Sequence, residues 1–483
     1  MRIKIGNRYR KFAYIGSAFS FFIFLLGLAL DDLNVQWVAI LIMFTVSLIF
    51  AFTDKKDGLA YIAFLIAFFT FLLGLNTFVM LSGDNWYAGY KYHVANVICN
   101  NIFLSLSVLF WSYTFYRERK KRKKLSSIEQ FDGYAQRNHH VFEKSRQLFY
   151  ISLPFCLAIN LEKANFGLTH IYGTGNFVSS FPWIFQKLAL ITAIAYIISL
   201  AALPSHKEIL PMTWLFLGCS LLQMLSGDRG RTVRDFLMVF FYFVFRQGLS
   251  RRLNRDEVWI KTWEKVLLIA CVPFVLAFLG VYAYIRHGES IQMGVGSGII
   301  VFFKQQGGSI FNISRYELMR DHMPTGNISF VFGPVINIFR ESLLGKMLGL
   351  ESYVGQTVDA AMHGNNLGNT LTFLFAKEYY LAGGGFGTQY IAELYADFSY
   401  IGVIIYHVFL GWLLSTIKFV SNRHWLVNTL FILIIRDIMF LPRDFCLNFI
   451  GSLLSTTYWV VFLYVEYGPK IRSASIEKYN TIA

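Results

Sequence analysis

Apolar runs of about twenty residues recur from one end of this chain to the other, and that recurrence decides most of what it can fold into. A helix of that length matches the hydrocarbon core of a bilayer and satisfies its own backbone hydrogen bonds there. Candidate spans fall at roughly 12–30, 35–52, 59–81, 95–116, 148–166, 182–203, 209–226, 235–249, 265–285, 394–416, 425–442 and 445–465. The reading is an all-α, polytopic integral membrane protein of about 12 transmembrane helices. No separate soluble domain is needed among the 483 residues. A soluble chain with 55% hydrophobic and 15% charged residues would expose patches large enough to aggregate. The first run, near Phe12, is followed by Asp31-Asp32 rather than a small-residue cleavage site, so it reads as a retained helix.

A net charge of +15 would suggest nucleic acid as partner for a soluble protein. Here the basic residues sit in short segments between apolar runs. With the N-terminus in the cytoplasm, the inner segments carry Arg2 to Lys11, Lys55 and Lys56, Arg117 to Lys124 with Arg137, Lys144 and Arg146, and Arg246 to Lys261. The short outer loops Asp31–Asn34 and Ser82–Val94 are poor in them. One orientation therefore suits the whole chain, with both termini cytoplasmic, and no nucleic-acid groove is expected. The basic inner loop at 117–147 sets topology and touches anionic headgroups of the lipid bilayer. Cys99, Cys156, Cys219, Cys271 and Cys446 are scattered without CxxC or Cys/His spacing, so neither a metal site nor a disulfide framework is expected. No Walker loop, GxSxG, HExxH or dinucleotide fingerprint occurs, and no cofactor is expected.

Two outer segments break the charge rule. Gly227-Asp228-Arg229-Gly230-Arg231-Thr232-Val233-Arg234 puts three arginines within six residues at a helix end. Guanidinium binds phosphate bidentately and stays charged when partly desolvated. The second segment is a large outer loop, 286–393, with Arg315, Arg320, Arg340, Lys346 and Lys377. Its apolar pieces predict short helices lying at or dipping into the membrane interface, and a loop this long is usually functional. Arg315 and Arg320 are placed either to bind a second phosphate or to pair with Glu317 and Asp321. His363 could take a proton from a sugar hydroxyl or be incidental, and Asn365 and Asn366 are apt sugar contacts. A glycine-rich turn, Ala382 to Thr388, leads into a helix bearing Glu393, which is either a general base or a structurally paired acid. Arg436, Arg443 and Asp444 form an intramembrane pair or line a cavity.

These residues resemble a family. The Gly-Asp-Arg-Gly-Arg turn looks like the Gly-x-Arg-Gly element of Wzy-type O-antigen and capsule polysaccharide polymerases. Gly383 to Tyr395, followed by Asp397-Phe398-Ser399-Tyr400-Ile401-Gly402-Val403, is similar to their glycine-rich turn, Ala-Glu-Leu-Tyr and aromatic-Gly stretch. Ser399 departs from the pattern, where the family more often has glycine. The resemblance implies a membrane-embedded glycosyltransferase (GT-C-like) fold related to O-antigen ligases. It implies a metal-independent enzyme of the bacterial cytoplasmic membrane that polymerises undecaprenyl-pyrophosphate-linked oligosaccharide repeat units on the outer face. A chain-length regulator and a repeat-unit flippase are the protein partners it suggests.

On that reading Arg229, Arg231, His363 and Glu393 are the candidate catalytic residues. Arg234, Arg315, Arg320, Arg340, Asn365, Asn366, Gly385 and Tyr395 are the candidate substrate contacts. The alternatives are a flippase or transporter of lipid-linked oligosaccharides, an O-antigen ligase, and a non-catalytic scaffold. A flippase would spread charge along a central path, whereas the unusual charges here gather on the outer side.

Overall fold

A computed structural model of the chain describes residues 2–53, 58–87, 89–119, 127–169, 177, 179–226, 229–286, 295–325 and 329–480. The described residues form helices and connecting turns, with no strand among them. Eight of these helices are long and apolar enough to cross a membrane: Arg10–Ala29, Leu33–Thr53, Leu59–Leu81, Tyr92–Arg119, Trp183–Ala201, His206–Leu225, Thr262–Val281 and Tyr390–Thr416. Each coincides with an expected span. The other four expected spans are helical too, but differ in build. Residues 148–166 lie inside the His139–Thr169 helix, which carries Glu162 and Lys163 about two turns before its end. Residues 235–249 lie inside Arg229–Arg252, which opens and closes on arginines. Trp425–Ile438 has 14 residues, about 21 Å of helix and short of a bilayer core. The last span divides at Ser455 into Asn448–Leu454 and Thr456–Asn480.

The chain divides into two units. The first comprises Met1–Lys121, Trp263–Ile417 and Asp437–Asn448. Glycines let some of its helices approach closely. A side chain at Gly16 would run into Val46, and one at Gly411 into the Ser112 hydroxyl. That hydroxyl instead donates to the His407 carbonyl at 3.0 Å, tying Tyr92–Arg119 to Tyr390–Thr416. A π-turn at Phe69–Leu73 interrupts the third span, and beyond it Gly74 and Gly307 admit the Val295–Gly307 helix at close range. The long segment between 295 and 389 is built of short helices: Val295–Gly307, Asn312–Met319, Gly333–Glu341, Leu343–Met347, Val358–Met362, Leu367–Phe375 and Lys377–Leu381.

The second unit comprises Arg122–Thr262, Lys418–Arg436 and Phe449–Ala483. Hydroxyl pairs lace His139–Thr169 to Trp183–Ala201: Ser145 to Ser199 and Ser152 to Thr192, each at 2.8 Å. Asn160 donates to the Cys219 carbonyl at 3.3 Å and accepts from Gln223 at 3.1 Å, fixing His206–Leu225 alongside. In the stretch expected as a basic loop, residues 120–126 lie outside the described residues, Ile128–Arg137 is a helix capped by Ser127, and the next helix starts at His139. Arg246 is buried in this unit, with its guanidinium 4.1 Å over the Trp259 ring and 3.5 Å from Glu257.

One backbone feature gives a physical reason for a residue preference noted in the sequence. Ser399, inside the Tyr390–Thr416 helix, has φ 53° and ψ −154°. That combination is essentially restricted to glycine. The helix breaks there, and the Tyr316 hydroxyl donates to the Ala396 carbonyl at 3.2 Å. Ser399→Gly is therefore expected to stabilise the protein by about 1–2 kcal/mol, net of glycine's entropic cost. Ser399→Val should act in the opposite direction. Thermal unfolding in detergent checks both signs; a lower midpoint for the glycine variant would contradict the strain.

Candidate functional site

In the second unit the arginine cluster lies on a helix rather than in a turn. Gly227 and Asp228 lie outside the described residues, and the Arg229–Arg252 helix begins at the first arginine. Arg229, Arg231 and Arg234 occupy its first two turns, each half-buried. Cations at a helix N-terminus oppose the macrodipole, and they are tolerable where an anion binds. The initial N–H groups and the guanidinium groups then present positive charge at the same end.

What holds that end in place is a buried ion pair one turn further along. Asp235 and Arg436 meet at 2.8 Å, with side-chain exposures of 4% and 12%. The second Asp235 oxygen accepts from Ser220 at 2.7 Å, and Thr232 donates to the Ser220 carbonyl at 2.6 Å. Arg436, expected with Arg443 and Asp444 in an intramembrane pair or a cavity lining, is thus ion-paired with Asp235. Asp235 itself was not singled out in the sequence, although an acid inside an apolar span is a sufficient signal.

The other candidate residues belong to the first unit. Arg340 donates to Asn365 Oδ1 at 2.9 Å, and Asn365 Nδ2 donates to the Ser329 carbonyl at 3.0 Å. Ser329 Oγ donates to Asp397 at 2.8 Å, and the Val331 and Phe330 amides donate to the same carboxylate at 2.9 and 3.2 Å. A hydrogen-bonded chain thus runs from Arg340 to the membrane helix. Gly333 makes it possible, because a side chain there would strike the Asn365 carbonyl. Arg340 also lies 5.2 Å over the Tyr353 ring, and exposed His363 lies 6.1 Å from the same ring. Arg340, Asn365 and His363 are therefore brought together. Asn366 caps the Leu367–Phe375 helix by accepting from Asn369 N at 3.2 Å.

Arg315 is turned into the protein. It donates to Asn312 Oδ1 at 2.9 Å and lies 3.9 Å over the Phe386 ring of the glycine-rich turn. Burial in these surroundings lowers its pKa from the ordinary guanidinium value. Asn312 in turn donates to the Gly387 carbonyl at 2.9 Å, so the turn is clasped from one side. On the other side Gln356 donates to the Gly384 carbonyl at 2.7 Å, beside Gly385. Arg320 is exposed in the short helical turn after Met319. Tyr395 donates to Glu317 at 3.0 Å. Arg443 is bonded to Gln306, and Asp444 accepts from Asn448 at 2.6 Å.

Glu393 is fully buried. Its carboxylate accepts from Thr388 Oγ1 at 2.5 Å and from Cys446 N at 2.8 Å, which latches the glycine-rich turn to the segment after Arg443. Removal of the carboxylate leaves both donors without it. Glu393→Ala is expected to cost about 1–3 kcal/mol, read as a lower thermal midpoint. Glu393→Gln keeps an acceptor oxygen and is expected to retain most activity. Loss of activity in a normally stable Gln variant would instead assign Glu393 the proton.

Asp397, four residues beyond Glu393, is a second acid that the sequence did not single out. With Tyr316, Ser329, Phe330 and Phe398 it lines a cavity of about 310 Å³ at the Ser399 break. Its signal was present in the same Asp-Phe-Ser-Tyr stretch, but its partners lie more than sixty positions away.

No curated protein and no solved structure matches this chain. The model of one protein family, O-antigen polysaccharide polymerase Wzy, matches residues 12–471, nearly the whole chain. With its apolar membrane helices, its arginine-led helix and its clasped glycine-rich turn, the chain belongs to the O-antigen polysaccharide polymerase Wzy family.

Proposed function

We propose that this O-antigen repeat-unit polymerase draws both substrates from polyprenyl-pyrophosphate-linked oligosaccharides and needs neither metal nor nucleotide sugar. The observation that carries the reading is the set Arg229, Arg231 and Arg234 on the first turns of one helix, anchored by the buried Asp235–Arg436 pair. In the reaction a hydroxyl of the acceptor sugar attacks the anomeric carbon of the donor chain. The bond from that carbon to the pyrophosphate oxygen breaks, and the lipid pyrophosphate leaves with its electron pair. Fixed cations lower such a barrier by stabilising charge as it develops. Arg229 and Arg231 take that role, with Arg234 assisting in holding the donor.

The remaining candidate residues serve the acceptor. Arg340 and Arg320 contact its pyrophosphate and Asn366 its sugars, while buried Asn365 and Tyr395 hold Arg340 and Glu317 in place. His363 receives the hydroxyl proton, imidazole being suited to that near neutral pH. Arg315 and Glu393 are positioning residues that hold the glycine-rich turn with Gly385. The enzyme works from the bacterial cytoplasmic membrane with both termini inside. Incubating purified protein with the lipid-linked repeat unit in excess EDTA tests the donor. Polyprenyl pyrophosphate is expected to appear in step with the linkages made; linkage formation that stops on chelation would overturn the metal-independent reading.

A further inference from the structure

The Gly333–Glu341 and Leu343–Met347 helices expose apolar side chains that nothing described in the chain covers. Leu344, Met347 and Leu348 are 63%, 75% and 67% exposed. Their spacing of three and four residues puts them on one face. Phe332 and Phe339, about half-exposed, extend the patch back along the preceding helix. The opposite side is committed to polar contacts, with Arg340 bonded to Asn365 and the Gly333 backbone packed on the Asn365 carbonyl. So many exposed large apolar side chains in one short stretch are unusual on a surface facing water.

A contact within the same unit indicates what covers it. The Phe332 ring meets the Phe398 ring edge-on at 6.4 Å. Phe398 is the first residue of an exposed stripe on the Tyr390–Thr416 membrane helix that continues through Ile401, Ile405 and Val408. That stripe faces lipid, because the helix is long and apolar enough to cross the membrane and these side chains are exposed. The loop patch is therefore a sideways extension of a lipid-facing surface. Lys346, exposed among the apolar side chains, can lay its stem on hydrocarbon and reach headgroups with its ammonium.

We propose that Phe332–Leu350 is an interfacial, monotopic element that lies in one leaflet, with Leu344, Met347 and Leu348 among the upper acyl chains. It does not span the membrane. Its ligand is the lipid surface itself, and the consequence is that Arg340 and Asn365, tethered to it, are held at headgroup depth. The inference rests on the membrane architecture and not on the assignment of catalytic roles.

The test uses the full-length protein in phospholipid vesicles. Met347→Cys and Leu348→Cys are labelled with a small environment-sensitive fluorophore, with Asp359→Cys as an exposed polar control. Wild type labelled in parallel gives the contribution of exposed Cys271. At 347 and 348 the expected result is a blue-shifted emission, lost to lipids carrying a nitroxide high on the acyl chain and insensitive to aqueous iodide. Stronger quenching by nitroxides near the bilayer centre would overturn the proposal in favour of a span. Quenching by iodide alone, as at 359, would overturn it in favour of a water-facing loop. Shielding from both quenchers, with cross-linking to a second chain, would make the patch a protein interface.

Discussion

Alanine at both Arg229 and Arg231 is expected to reduce polymer output by a hundredfold or more, on the order of the loss seen when a preorganised donor is removed from a developing anion. The effect is large because the leaving pyrophosphate gains charge as the sugar bond breaks, and a half-buried guanidinium meets that charge without reorganising. Lysine at either position should recover part of the loss, since an ammonium supplies charge without the two-pronged geometry. Arg255→Ala is the contrasting control. Arg255 pairs with Asp132 at 2.5 Å, but both are substantially exposed, and such pairs contribute about 0–1 kcal/mol. Measured on protein that inserts and accumulates normally, polymer length and yield should separate the two cases. Unchanged output from the double variant would remove the arginine helix from the reaction.

The second large effect concerns the Asp235–Arg436 pair. Replacing Arg436 by alanine leaves a buried carboxylate without its counter-ion, and such a change costs about 3–5 kcal/mol. Removing both partners together, as Asp235→Ala with Arg436→Ala, should cost much less than the sum of the single changes. The pair also orients the helix that begins with Arg229, so Arg436→Ala should lower polymer output even at temperatures where the protein remains folded. A double-mutant cycle on thermal stability, run beside polymer yield, reads both effects. Additive stability losses would mean that the two charges do not interact.

The contrast between what the sequence revealed and what it hid follows from the range of the interactions. Long apolar helices such as Leu33–Thr53 were visible because hydropathy is a local property of consecutive residues. The expected span 425–442 outruns the Trp425–Ile438 helix, because apolar residues continue to Leu441 past the point where the helix ends and the chain turns. The arginines at 229, 231 and 234 stood out because they break the charge rule, and Glu393 because an acid in an apolar run is costly. Their partners were not visible. Arg436 lies 201 positions from Asp235, and Cys446 lies 53 positions from Glu393. The break at Ser399 depends on a backbone conformation that serine does not announce.

The same reasoning separates the residues of the glycine-rich turn. In sequence Ala382 to Thr388 is a glycine-rich turn leading into a helix, where backbone N–H groups can hold an anion. In the structure the turn is clasped by Asn312, Gln356 and Thr372 and latched through Thr388 to Glu393, a rigid platform beside the membrane helix. Rigidity of that kind suits a site whose contacts must be held to within a fraction of an ångström.

The most direct measurement is reconstitution of the purified protein in vesicles with the lipid-linked repeat unit as sole substrate, without ATP, metal or nucleotide sugar, followed by separation of the products by size. A ladder spaced by one repeat unit is the predicted result. Movement of the intact lipid-linked unit across the bilayer, with no ladder, would contradict the account and make the protein a transporter.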